Sequence, residues 1–177
     1  MRTRYSSAQI VLHWLVFVLV VLTYTTMDLK GAFAKGSFAR ELLTLTHYSL
    51  GFCVLFLMCV RLFVRAMYVT PAIKPALPQW QHCLSVTLHT IVYLTFIGLP
   101  VLGILSQYFG GHDWTMFTIR MPRSYLADLP LQKQLKTLHE WLANTGYYLI
   151  GLHAFAALWH HYGRRDNTLI RMLPGKD

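Results

Sequence analysis

The stretch LHEWLANTGYYLIGLHAFAALWHH, residues 138–161, decides how the chain folds. It is long and apolar enough for one membrane-spanning helix, which needs about 20 residues, yet it carries His139, His153, His160 and His161. A helical rise of about 1.5 Å per residue sets His139 and His153 about 21 Å apart along the axis. A turn of about 100° per residue keeps them within about 40° of one face. Gly146 falls midway on that stripe and His160 one heptad beyond His153. This is the spacing of two haems stacked across a bilayer, and a glycine between them would leave room for a flat macrocycle.

Outward from that stretch, the composition is that of a membrane protein. Of 177 residues, 55% are hydrophobic and 13% charged, and the mean hydropathy is +0.41. Such a chain is not a soluble globular domain. Apolar segments at about 8–27, 42–64, 83–108 and 138–162 are each near or above spanning length. The expected fold is all-α, an integral membrane four-helix bundle with two haems stacked inside it, forming a single membrane domain over residues 1–177. The first segment follows a basic start but is longer than a signal-peptide core and contains His13 and Trp14, so it reads as a retained helix. Ser6 and Ser7 are its candidate caps. Pro71, Pro75 and Pro78 predict a stiff connector after the second helix, and Pro100 a kink in the third.

Four spans place both termini on one side. Nine Lys and Arg, among them Arg2, Arg4, Arg61, Arg65 and Lys176, belong to the termini and the loop after helix 2, against seven in the other two loops. The positive-inside bias favours cytoplasmic termini. The net charge of +9 is spread over helix ends and implies lipid headgroups, not nucleic acid. Cys53, Cys59 and Cys83 form no C-x-x-C or C-x-x-C-H, which excludes the usual covalent haem attachment, and they read as core residues.

With this topology the histidines fall into layers. His47 and His139 lie at the outer level, and His13, His89 and His153 at the inner level. An intramembrane histidine needs a partner and is functional by default. A neutral imidazole bonded to a neighbouring helix explains one such residue poorly and two facing layers worse. Zinc fits less well, because it takes three or four ligands, often with Cys or carboxylate, and only Glu140 is near a core histidine. Depth pairs His47 with His139, and leaves open whether His13 or His89 pairs with His153.

The stretches YSSAQIVLHWL at 5–15, LHEWLANTGYYLIGLHAFAALWHH at 138–161 and DNTLIRMLP at 166–174 closely resemble the bacterial cytochrome b561 family. These are small four-helix di-haem membrane proteins, one of which is a superoxide oxidase that passes electrons to ubiquinone. The resemblance runs nearly end to end and is weakest in the loops 31–40 and 110–136. It implies two non-covalent haems b per chain, with His13 and His153 as axial iron ligands of the inner haem and His47 and His139 as those of the outer haem. His89 and His160 are then left as candidate quinone contacts, since imidazole can donate hydrogen bonds and protons near neutral pH.

The implied activity is superoxide:ubiquinone oxidoreductase in the bacterial inner membrane. Superoxide is oxidised to oxygen at the outer face and electrons pass through both haems to ubiquinone. Bis-imidazole ligation leaves iron no open position, so transfer is outer-sphere. The anionic substrate makes Arg120, Arg123, Lys133 and Lys136, which the reading places in the long outer loop, candidates for superoxide steering, together with Lys30, Lys35 and Arg40. Snorkelling and pairing with Asp113, Asp128 or Glu140 is their plainer role. The alternative function is a di-haem anchor subunit that relays electrons between a soluble oxidoreductase and the quinone pool.

Overall fold

The computed structural model describes residues 3–175; Arg2 and Lys176, counted above among the flanking cations, lie outside the described residues. Four long helices make up most of it: α1 (Ser7–Lys30), α2 (Phe38–Met67), α3 (Gln79–Phe109) and α4 (Leu129–Leu158). The first three are long and apolar enough to cross a membrane. Helix α4 matches them in length, but Gln132, Lys133, Gln134, Lys136, Glu140 and Asn144 make its first half more polar.

Three of the four helices, α1, α2 and α4, start where the sequence provides a side-chain cap. Ser6 accepts from the Gln9 amide while the Gln9 side chain accepts from the Ser6 amide, a reciprocal capping box. Ser37 caps α2. Asp128 accepts from the Leu131 amide at 2.9 Å, and Pro130 occupies the first turn. That start lies well before residue 138, so Lys133 and Lys136 are on α4 and not in a loop. The apolar stretch underestimated the helix because its first turns are amphipathic. Pro100 sits inside α3, which continues through it.

Helix α1 packs along α2, α3 along α4, and α2 along α3. The outer surfaces are apolar: Phe56, Phe63, Leu94 and Phe155 are all more than half exposed, as side chains facing lipid should be. Cys59 and Cys83 are also exposed and Cys53 half-buried, which corrects their reading as core residues. The core itself is a thin layer at mid-depth, Val16, Val20, Val54, Met58, Phe96 and Leu99. Between α3 and α4 a two-stranded hairpin, β1 (Thr115–Met116) and β2 (Ile119–Arg120), tucks Trp114 and Met116 inward.

The last fifteen or so residues close the other end. Helix α4 passes into a π-helical turn at Trp159–Gly163, the chain reverses with Arg165 at φ 56°, and the tail then bonds three separate segments. Met172 O accepts from the Trp14 indole at 2.9 Å, the Arg171 carbonyl accepts from the Tyr5 amide at 3.1 Å, and the Asn167 side chain accepts from the Lys74 amide at 2.8 Å. The Arg171 guanidinium donates to Pro71 O. The turn is anchored by Asp166, whose side chain is fully buried.

Burial alone would raise the Asp166 carboxyl, but hydrogen bonds from His160 and Thr168 outweigh it and hold the group below the usual carboxylate range. A depressed carboxylate stabilises the fold above its unfolded value and loses that contribution as pH falls through the folded one. Amide exchange at Thr168 and Arg171, corrected for intrinsic rates, should therefore stay slow from neutrality down to about pH 4 and accelerate below it. Asp166→Asn should abolish that acid dependence.

Candidate functional site

The core layer separates two groups of imidazoles. Toward the hairpin end, the His47 and His139 rings face each other from α2 and α4 with centroids 6.2 Å apart. At the other end the His13 and His153 rings, from α1 and α4, are also 6.2 Å apart, and His89 of α3 lies 5.3 Å from His153. A metal–imidazole bond of about 2.0 Å, with about 1.1 Å from that nitrogen to the ring centre, puts two imidazoles on opposite sides of one metal ion about 6.2 Å apart. Both α1–α4 and α2–α4 pairs have that separation; the His89–His153 contact is too short for it. Among the described residues no group of three or more His, Cys, Asp or Glu is arranged to hold a metal ion.

The outer imidazoles are oriented through their second nitrogen. His47 Nδ1 lies 3.1 Å from Thr23 O and His139 Nδ1 lies 2.8 Å from Leu99 O, each a backbone carbonyl on a neighbouring helix. A carbonyl can only accept, so both rings carry a proton on Nδ1, which leaves Nε2 as the nitrogen available to ligate. This is how ligating histidines are commonly held. Gly103 permits the His139 contact, since a Cβ there would come within 3.3 Å of the ring. Between the outer imidazoles lies a cavity of about 670 Å³, lined from all four helices by residues that include Val54, Phe96, Pro100 and Gly103.

The inner group differs. His89 Nδ1 is bonded to Ser85 O at 2.6 Å, on its own helix. His13 Nδ1 faces the Arg61 guanidinium at 2.7 Å. Arg61 also lies over the Tyr93 ring at 5.6 Å, as does Arg65 at the same distance. Among the described residues Arg61 has no carboxylate partner. A guanidinium held inside an apolar stretch without an anion is costly. The inner end is therefore a cationic lining in want of negative charge.

The family model described as prokaryotic cytochrome b561 matches residues 4–175. The chain belongs to the prokaryotic cytochrome b561 family. It is 40% identical over 171 residues to cytochrome b561 homolog 1 of Escherichia coli K12, covering 97% of each chain. It is 41% identical over 176 residues to the probable superoxide oxidase CybB of Yersinia pestis, covering 99% of each. Cytochrome b561 homolog 2 of E. coli K12 is 26% identical over 183 residues. The protein is accordingly a multi-pass membrane electron-transfer protein of a family that binds haem b.

Several expectations change against this geometry. Gly146 leaves no room for a macrocycle: it is buried, and a methyl group on it would collide with the Tyr24 hydroxyl, which bonds Ala143 O at 2.9 Å. His160 leaves the His139–His153 stripe because the π-helical turn breaks the α register, and its Nδ1 meets Asp166. Of the four steering candidates, Arg120 is exposed on β2 and Arg123 is tied to Asp113 at 3.3 Å and to Gly111 O. Lys133 is exposed on α4, and Lys136 lines the cavity mouth beside Glu140, 3.8 Å away. Lys30, one of the cations the sequence grouped with these candidates, lines the same mouth; the cation whose role sequence reasoning missed is Arg61. Lys30 sits at the last residue of an apolar helix, where a flanking cation has a plain anchoring role.

The Gly146 contact is testable by itself. Gly146→Ala should lower thermal stability in detergent, at a cost of about 1–3 kcal/mol for overpacking. Adding Tyr24→Phe, which removes the colliding oxygen, should recover most of that loss.

Proposed function

We propose that this chain is a di-haem superoxide:ubiquinone oxidoreductase: it oxidises superoxide to oxygen at the hairpin face and delivers the electrons to ubiquinone at the face that holds both termini. The observation that carries the reading is the pair of 6.2 Å imidazole separations on opposite sides of one apolar layer. The 41% identity to a probable superoxide oxidase over 99% of both chains supports the choice of substrate.

The residues suit haem b. His47 and His139 would hold the outer group and His13 and His153 the inner one, each through Nε2. Arg61 offers its guanidinium to the carboxylates that haem carries, which would also free His13 Nδ1 to keep its proton. When bound, the haems supply one-electron relay across the bilayer. The four imidazoles would hold the haem irons, and the Val16, Val20, Val54, Met58, Phe96 and Leu99 layer would exclude water between the two levels. With two imidazoles committed to each haem, an incoming superoxide would give up its electron without binding the iron.

At the hairpin face the charge that meets superoxide is that of Lys30 and Lys136 at the cavity mouth; Arg120, Arg123 and Lys133 add only to the general field. At the other face His89 and His160 are the candidate quinone contacts. Both termini are cytoplasmic in this assignment, which places the chain in the bacterial inner membrane.

Pyridine haemochrome analysis should find two b haems per chain, falling to one in His47→Ala or His139→Ala and to one in His13→Ala or His153→Ala, while His89→Ala keeps both. Loss of haem from His89→Ala equal to that from His13→Ala would refute the ligand set. Superoxide should reduce the haems of the purified chain without any soluble partner. If it does not, while quinone still reoxidises chemically reduced protein, the relay-subunit alternative replaces the enzyme.

For steering, Lys30→Gln combined with Lys136→Gln should slow the superoxide reaction severalfold at low ionic strength and flatten its salt dependence. Arg120→Gln with Arg123→Gln should change it less.

A further inference from the structure

A buried carboxylate that the ligand scheme does not use lies directly behind a candidate quinone contact. His160 Nδ1 and Asp166 Oδ2 are 2.6 Å apart, with the Asp166 side chain fully buried and that of His160 18% exposed. The other carboxylate oxygen accepts from the Thr168 amide at 2.9 Å, and the Asp166 amide donates back to His160 O at 3.1 Å. Backbone and side chain thus both tie the two residues together. The π-helical turn at Trp159–Gly163 and the left-handed Arg165 supply the reversal that brings position 166 back onto position 160.

The chemistry of the contact is directional. An ionised carboxylate only accepts, so Nδ1 keeps its proton and Nε2 is the nitrogen left for another molecule. Among the described residues no hydrogen bond is made to Nε2. A neutral ring would offer only a lone pair there, whereas a protonated ring offers a donor that a quinone oxygen can accept. The adjacent carboxylate fixes the tautomer and orientation of the ring, as it does wherever Asp orients a catalytic His.

We propose that Asp166 is a positioning residue that holds His160 as the proton donor to a quinone bound beside the end of α4. This rests on the quinone-reductase reading above and adds the source of a proton. Reduction of quinone to quinol takes two electrons and two protons. The imidazolium breaks its Nε2–H bond and that proton forms an O–H bond on one quinone oxygen, the neutral ring is reprotonated from water on the same side, and that water also supplies the second proton, to the other quinone oxygen. Two superoxide ions supply the electrons and leave as oxygen; Asp166 stays ionised throughout.

The charged groups that face the dyad are few. Arg164 Nε lies 3.8 Å from Asp166 Oδ2 and makes no hydrogen bond of its own, and Arg171 approaches Asp166 from the tail. His161 is the neighbouring titratable ring on the turn. Among the described residues, no second carboxylate is in ion-pair reach of His160. The dyad is therefore the one place on this turn where a proton held on imidazole is directly balanced.

The test uses the full haem-loaded chain in detergent with a short-chain ubiquinone. Haems reduced beforehand with dithionite are mixed with quinone over about pH 5–9, and reoxidation is followed for wild type, Asp166→Asn, Asp166→Glu and His160→Gln. General acid catalysis is worth about 10²–10⁴-fold, so His160→Gln should slow reoxidation at least tenfold. Asp166→Asn should lower the rate and move the alkaline limb of the pH profile to lower pH, with Asp166→Glu restoring part of both. Haem content and the rate of haem reduction by superoxide should not change. Nitrogen NMR of the imidazoles should independently show His160 losing its proton at lower pH in Asp166→Asn.

Asp166→Asn with a wild-type pH profile and an unmoved His160 titration would overturn the proposal. So would a rate loss that merely tracks lost haem or thermal stability with no shift of the alkaline limb. Wild-type haems that quinone fails to reoxidise would instead remove the acceptor from the proposed function, and this inference with it.

Discussion

An imidazole in hydrocarbon needs a partner at both nitrogens, and the arrangement of these helices follows from meeting that need. At the outer level two carbonyls, Thr23 O and Leu99 O, satisfy the Nδ1 protons of His47 and His139 from neighbouring helices. Interhelical bonds of this kind contribute about 0.6–2 kcal/mol each in a membrane, too little to justify burying four imidazoles for stability alone. The two rings sit across a cavity with centroids at a separation that one metal ion would bridge. In this account haem b completes the core that the side chains leave thin.

The two ends are built differently, and the difference matches the chemistry assigned to them. The hairpin end is held by backbone carbonyls and opens through a mouth with Lys30 and Lys136. The other end is closed by the tail, which bonds Trp14, Tyr5 and the loop between α2 and α3. It gathers Arg61, Arg65 and Arg171 near His13, His89 and His153. A small anion that only exchanges an electron needs access and positive potential. A quinone that also takes protons needs donors and a shielded pocket. Between them lies the mid-depth apolar layer.

Much of this was legible in the sequence, because membrane helices leave few ways to hide a histidine. His139 and His153 on one stripe predicted two levels, and hydropathy with Lys and Arg counts placed His13, His47 and His89 among them. The residues that tune the rings were not legible. Thr23 and Leu99 act through carbonyls, which every residue has. Arg61 looked like a flanking cation, and Asp166 was one acid in a short tail. Gly146 was misread because periodicity says which face a residue shares but not what opposes it; here that is Tyr24. His160 was extrapolated along an α-helical register that the π-helical turn breaks. The start of α4 was placed late because its cap, Asp128, precedes an amphipathic turn that hydropathy scores as loop.

The most direct test of the central claim is a reduced-minus-oxidised visible spectrum of the purified chain with its haem stoichiometry, repeated for His47→Ala. The account predicts two low-spin b haems per wild-type chain and one in the variant, with the inner spectrum unchanged. A single haem in wild type, or a variant that keeps both, would contradict the assignment of two bis-imidazole sites across one apolar layer.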